Sequence, residues 1–164
     1  MFTDHTTESA PAASRRAMEA TRTRLGYLPA PVARLAESPH LLDGFLRLSG
    51  IFESTTLDMP SRETVIMTVA VRNGCHVCVA MHSAKLAGHP ELVAALREQR
   101  PLHEERLEAL RQFTLAVLAT AGAVDDEALS AFLAHGYTKQ NALEVVLGIG
   151  TYTMSTLANR LTRA

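Results

Sequence analysis

Residues 63–82 read ETVIMTVAVRNGCHVCVAMH, and the way this stretch folds decides the reading of the whole chain. It holds the only two cysteines, Cys75 and Cys78, as a Cys-x-x-Cys pair. His82 follows four residues after Cys78, and Glu63 precedes Cys75 by twelve. The first half, TVIMTVAV, is rich in β-branched residues, so a strand is the competing reading. Upstream, however, Asp58-Met59-Pro60 is a helix start, with Asp58 or Ser61 to cap and Pro60 early in the first turn. The run from Pro60 to Arg72 is therefore expected to be a helix, carrying Val65, Ile66, Val69 and Ala70 toward a core. Asn73-Gly74 breaks it, and Cys75 opens a second helix that ends at Gly88 before His89-Pro90. At about 100° per residue, Cys75, Cys78 and His82 fall within roughly 60° of one another. Two thiols and a base on one helix face point to redox chemistry.

The flanks extend the helical pattern. Residues 1–14 are polar, small and interrupted by proline, and are expected to form a flexible tail, with residues 15–164 as a single domain. A short helix from Arg15 to Leu25 ends at Gly26, another carries Val32, Leu35 and Ala36, and Ser38-Pro39 restarts the chain. Leu41, Leu42, Phe45, Leu48 and Phe52 then recur at helical spacing. Beyond the cysteines, a short helix runs from Glu91 to about Glu98. A long one begins at Glu104 with Leu107, Leu110, Thr114, Val117 and Leu118 inward. A further helix starts at Asp125-Asp126 with Leu129, Phe132 and Leu133 inward. Thr138 caps the last, which carries Leu143, Val146, Leu147, Gly150, Met154 and Leu157. The expected fold is an all-α bundle.

Composition agrees. The chain has 164 residues, of which 47 % are hydrophobic and 20 % charged, enough for one domain with a real core. Aromatics are 5 % and Trp is absent, which favours helix packed on helix over a β-sandwich. The net charge of −1 is scattered, so nucleic acid is not an expected partner. No apolar run approaches the ~20 residues that span a bilayer. The opening MFTDHTTESAPAASRR lacks the apolar segment of a secretory signal. A cytoplasmic protein without membrane association is expected. In that reducing compartment a Cys-x-x-Cys pair reads as redox-active or metal-binding, because the loop it closes is too short to stabilise a fold.

A thiol reduces a peroxide or disulfide as its thiolate, and free cysteine, with a pKa of about 8.5, is mostly protonated at neutral pH. His82, one turn beyond Cys78, is placed to take its proton. The break at Asn73-Gly74 lets the preceding helix fold back, bringing the Glu63 carboxylate to the imidazole as part of a proton relay. His76 is a second candidate relay member, although it projects about 100° away from Cys75. Which sulfur attacks stays open on these grounds. Cys75 sits at a helix amino terminus that favours an anion, whereas Cys78 has the better-placed base.

Glu63, eleven residues, Cys75, two, Cys78, three, His82 resembles the signature of the alkyl hydroperoxidase D (AhpD-like) branch of the carboxymuconolactone decarboxylase family. Looser similarity covers Gly26-Tyr27-Leu28-Pro29, Ser38-Pro39 and the last helix near Asn159-Arg160. The resemblance implies an all-α fold and a homo-oligomer, trimer or hexamer. It implies a thiol-dependent peroxidase in which Cys78 attacks the hydroperoxide, Cys75 resolves the sulfenic acid as a disulfide, and Glu63 and His82 relay the proton. It further implies a dithiol reductant, either a lipoyl-bearing or a thioredoxin-like protein. The best-known peroxidase branch has a further histidine immediately before the second cysteine; here that position is Val77 and the histidine is His76.

Other readings remain beside this one. The cysteines could be small buried hydrophobes, or Cys75, Cys78 and His82 could hold zinc with Glu63 or His76; neither a metal nor a cofactor is the expectation. Glu63 could be a solvated first-turn residue. Met67, Met81 and Met154 read as core, and Gly148 and Gly150 as points of close helix packing rather than a dinucleotide loop. A lactone-directed lyase or decarboxylase, and a redox sensor without turnover, are the alternative functions.

Overall fold

The computed structural model describes residues 2–164 as nine α-helices, with no strand among the described residues. They are α1 (Ala12–Leu25), α2 (Ala30–Leu35), α3 (Pro39–Glu53), α4 (Met59–Arg72), α5 (His76–Lys85), α6 (Pro90–Arg97), α7 (Glu105–Thr120), α8 (Asp126–Ala134) and α9 (Lys139–Thr162). Helix α4 is the centre, packed against α5, α6, α7 and α9. Its β-branched run is helical because it is buried nearly all round, so a continuous apolar sequence is what a helix there requires. The two threonines inside it satisfy their hydroxyls within the helix, Thr64 Oγ1 donating to Pro60 O and Thr68 Oγ1 to Thr64 O. Asp58 caps the first turn by accepting from the Ser61 amide at 2.9 Å.

The main core joins Phe52 of α3, Val65, Ile66 and Val69 of α4, Leu110, Phe113 and Val117 of α7, Phe132 of α8 and Val145 and Tyr152 of α9. Phe113, Phe132 and Tyr137 stack in series at 4.3 and 4.6 Å between ring centroids. A second cluster, with Met18, Leu35, Ala36 and Leu42, docks α1 and α2 onto α3.

Two boundaries and one face differ from the sequence pattern. Helix α1 begins at Ala12 rather than Arg15, and the residues before it lie on the body of the protein. Ala10 is buried, the His5 amide donates to Ala33 O, and Ser14 Oγ donates to Ala36 O at 2.7 Å. Here hydrogen bonds to the main-chain carbonyls of Ala33 and Ala36, invisible to a composition argument, hold a polar segment. Helix α5 stops at Lys85, three residues short of Gly88. In α9 the residues turned inward are Val145, Gly148, Thr151, Tyr152, Ser155, Thr156 and Asn159, whereas Leu143, Val146 and Leu157 are exposed. The helix buries its small and polar side because α3 approaches closely there: a Cβ on Gly148 would stand 2.7 Å from the Phe52 ring. Gly150, in contrast, faces open space.

Candidate active site

Helices α4 and α5 form a hairpin around Asn73-Gly74, with Gly74 at φ +64°, a conformation that glycine adopts at little cost. The Cys75 amide donates back to Ala70 O at 2.9 Å, closing the turn, and Cys75 becomes the residue that precedes α5. Cys75 and Cys78 are joined as a disulfide with their Cα atoms 5.4 Å apart. Both are buried on Ala70, with Val77 and Val79 packed alongside.

The hairpin brings Glu63 to His82. Glu63 Oε2 lies 2.6 Å from His82 Nδ1, and both side chains are nearly buried. Glu63 is therefore not a solvated first-turn residue. A carboxylate has no proton to give, so Nδ1 carries the hydrogen and Nε2 presents its lone pair. His82 and Cys78 are four residues apart on α5 and so share a face. His76 is exposed and takes no part in the Glu63–His82 pair.

Three residues that the sequence pattern did not single out for the site complete it. Lys85 Nζ lies 3.4 Å from Glu63 Oε1 and 3.5 Å from Glu53 of α3, so the Glu63 carboxylate is held between His82 and Lys85. Its position, three after His82 on the same helix face, was the available signal. Tyr152 of α9 meets the His82 ring edge-on at 5.4 Å, and its hydroxyl pairs with Ser49 Oγ at 3.3 Å. Burial, reinforced by the Glu63 and Glu53 carboxylates, pushes the Tyr152 phenol up to about 12 against the Ser49 hydrogen bond. Asn159, also of α9, points its amide nitrogen at Cys78 Sγ from 3.3 Å. For Tyr152 and Asn159 no local pattern existed, since both arrive from some 70–80 residues away.

His82 and Tyr152 line an open cavity of about 480 Å³ bordered by α1, α2, α3, α5 and α9. Its other walls are largely apolar, including Leu25, Tyr27, Val32, Phe45, Leu46 and Met81, with Arg24, Glu53 and Lys85 as the charged members. Met81 is thus a partly exposed cavity wall rather than core. Cys75 opens on a different side, onto a cleft of about 240 Å³ with Gly74, His76, Asn159 and Arg160. Among the described residues no three His, Cys, Asp or Glu side chains are grouped so as to hold a metal ion. Nor is any helix long and apolar enough to cross a membrane.

The nine helices packed around this hairpin form an AhpD-like helical fold. Solved structures share that fold. The AhpD-core, peroxidase-related protein of Ralstonia eutropha JMP134 superposes with a TM-score of 0.85 at 18 % identity, over 98 % of this chain and 88 % of the other. A peroxidase-related protein of Silicibacter sp. TM1040 gives 0.80 at 19 % identity, over 98 % and 88 %. A debrominase solved with 2,3,4-tribromopyrrole gives 0.77 at 16 % identity, over 100 % and 90 %. No family model matches the sequence, and no curated protein does.

Proposed function

We propose that the protein is a thiol-dependent peroxidase that reduces hydroperoxides through a Cys75–Cys78 disulfide cycle. The observation that carries this reading is the 2.6 Å Glu63–His82 pair one helical turn along α5 from Cys78, which is joined to Cys75 as a disulfide. In the reduced protein, His82 Nε2 takes the Cys78 proton while Glu63 steadies the imidazolium. The Cys78 thiolate attacks the distal peroxide oxygen, the O–O bond breaks, and the alkoxide leaves as an alcohol with the proton from His82. Cys75 then attacks the Cys78 sulfenic acid, expelling water and forming the disulfide. A dithiol carried by a lipoyl-bearing or thioredoxin-like protein restores both thiols. No step needs His76, so Val77 in place of a preceding histidine leaves the relay resting on Glu63 and His82 alone.

The apolar cavity beside His82 suits the organic part of an alkyl or aryl hydroperoxide. Leu143, Leu157 and Leu161 are 73, 57 and 71 % exposed along α9, which supports assembly of the protein as a homo-oligomer through that helix. Stopped-flow mixing of the reduced protein with cumene hydroperoxide tests the reading. Two thiols should be lost per peroxide consumed, and sustained turnover should require a dithiol donor. A single oxidation with no turnover by any dithiol would indicate a sensor instead.

A further inference from the structure

Among the described residues, the hydrogen bond that reaches a cysteine sulfur comes from Asn159, 3.3 Å from Cys78 Sγ. Asn159 is 3 % exposed; its Nδ2 also lies 3.5 Å from Ser155 Oγ, and its Oδ1 is buried without a partner. Sulfur in a disulfide or a thiolate has no hydrogen to donate, so the amide must present its N–H₂ to Cys78 and turn its oxygen away. Keeping a buried acceptor unpaired is unfavourable and calls for a reason. A donor aimed at one sulfur of the pair supplies one, because an N–H bond to an anion is stronger than one to a neutral acceptor.

We propose that Asn159 is a catalytic residue of the thiol cycle, stabilising Cys78 as a thiolate and so directing the reductant to Cys75 through the cleft they share. The inference rests on the dithiol-reduced cycle described above and specifies its second half. The reductant's thiolate bonds to Cys75 Sγ, and the Cys75–Cys78 bond breaks with its electron pair going to Cys78 Sγ. Cys78 leaves as the thiolate held by Asn159, the better leaving group of the two. The reductant's second thiol then displaces Cys75, so that the reductant ends as a disulfide and the protein as a dithiol. Cys75 lines this cleft and Cys78 does not, so the cleft leads to the sulfur that Asn159 does not hold. The charged and titratable groups around the pair are His82 on α5, Glu63 on α4, and His76, Arg160 and Arg163 at the cleft.

Two measurements test it, and neither uses a peroxide. In a Cys75→Ser background, the Cys78 thiolate is titrated by its absorbance at 240 nm in the presence of Asn159 and in Asn159→Ala and Asn159→Asp. Loss of the donor should move the midpoint up by about one pH unit, a tenfold loss of thiolate below it. Asn159→Asp, close in shape, should move it further because it sets a second negative charge against the sulfur. An unchanged midpoint in either folded variant overturns the proposal, and Asn159→Asp decides alone if Asn159→Ala does not fold. Separately, the oxidised wild-type protein is exposed to limiting glutathione, quenched in acid, alkylated and mapped by mass spectrometry. Glutathione on Cys75 with alkylated Cys78 is expected, and glutathione on Cys78 overturns the assignment. A protein that reduces no hydroperoxide would still give both results, so the failure of one reading is separable from that of the other.

Discussion

The Glu63 carboxylate of α4 and the His82 imidazole of α5 meet at 2.6 Å across a helical hairpin, both nearly buried. Because Glu63 Oε2 holds His82 Nδ1 at hydrogen-bond distance, Glu63→Gln keeps the shape of the pair and removes the charge. Peroxide reduction, followed by stopped-flow thiol loss, should fall about 100-fold, the lower end of what general acid–base catalysis supplies. His82→Gln should fall at least as far. A Glu63→Gln protein with wild-type rates would remove the relay from the mechanism.

The two cysteines should separate by role. Cys78→Ser should abolish peroxide reduction. Cys75→Ser should still reduce one equivalent and stop at a sulfenic acid that a dimedone-type trap captures. Retained peroxide reduction in Cys78→Ser would sink the assignment, whatever the fate of Cys75→Ser.

Tyr152 offers a pH-dependent test. Its phenol is pushed up to about 12 from an ordinary 10.0, chiefly by burial. The neutral form is thus favoured in the fold, and the sign follows directly. The contribution to stability is complete below pH ~10 and is lost as the pH rises through about 12. Burial raises Tyr137 as well, so phenolate absorbance should show two late-titrating tyrosines in the wild type and one fewer in Tyr152→Phe. Chemical denaturation of that variant should show a weaker decline in stability between these pH values than the wild type.

Much of this was legible along the chain because it is local. The Asp58 cap with Pro60, the Asn73-Gly74 break and the i, i+4 spacing of Cys78 and His82 each act within one or two turns. Together they place Glu63 beside His82. Asn159 and Tyr152 were not legible as site residues, since they reach Cys78 and His82 only through the packing of α9 on α3 and α4. The same packing reverses a hydrophobicity argument: α9 buries Thr151, Ser155 and Asn159 and exposes Leu143 and Leu157. Periodicity finds an apolar face but cannot tell a core from a surface awaiting another chain.

If that face of α9 joins copies of the chain, a charge in its middle should separate them. Leu157→Glu is exposed in the single chain, so its stability should change by no more than about 0.5 kcal/mol. Light scattering coupled to gel filtration should then show a smaller species than the wild type, with circular dichroism unchanged. An unaltered oligomer would place the interface elsewhere.

Gly148 and Gly150 lie two residues apart on α9, yet substitution should move them in opposite directions. A Cβ at Gly148 would stand 2.7 Å from Phe52 Cε2 and Cζ and 3.1 Å from Val65 Cγ1. Phe52 is fully buried and meets Tyr152 edge-on at 5.9 Å, so it has no free direction in which to yield. Overpacking of this kind costs about 1–3 kcal/mol, and the helix preference of alanine over glycine returns only about 1. Gly148→Ala should therefore lower Tm by a few degrees, about 2–4 °C for each kcal/mol in a chain of this size. It should also disturb His82, which packs on the other side of Tyr152 at 5.4 Å, and so slow peroxide reduction. At Gly150 nothing lies within 4 Å of the added carbon. Gly150 shares its face of α9 with Leu143 and Leu157, so the test is made in the separated Leu157→Glu chain. There Gly150→Ala should raise Tm through helix propensity alone, without change in rate, and a fall in Tm would mean that the single chain itself covers this side of α9.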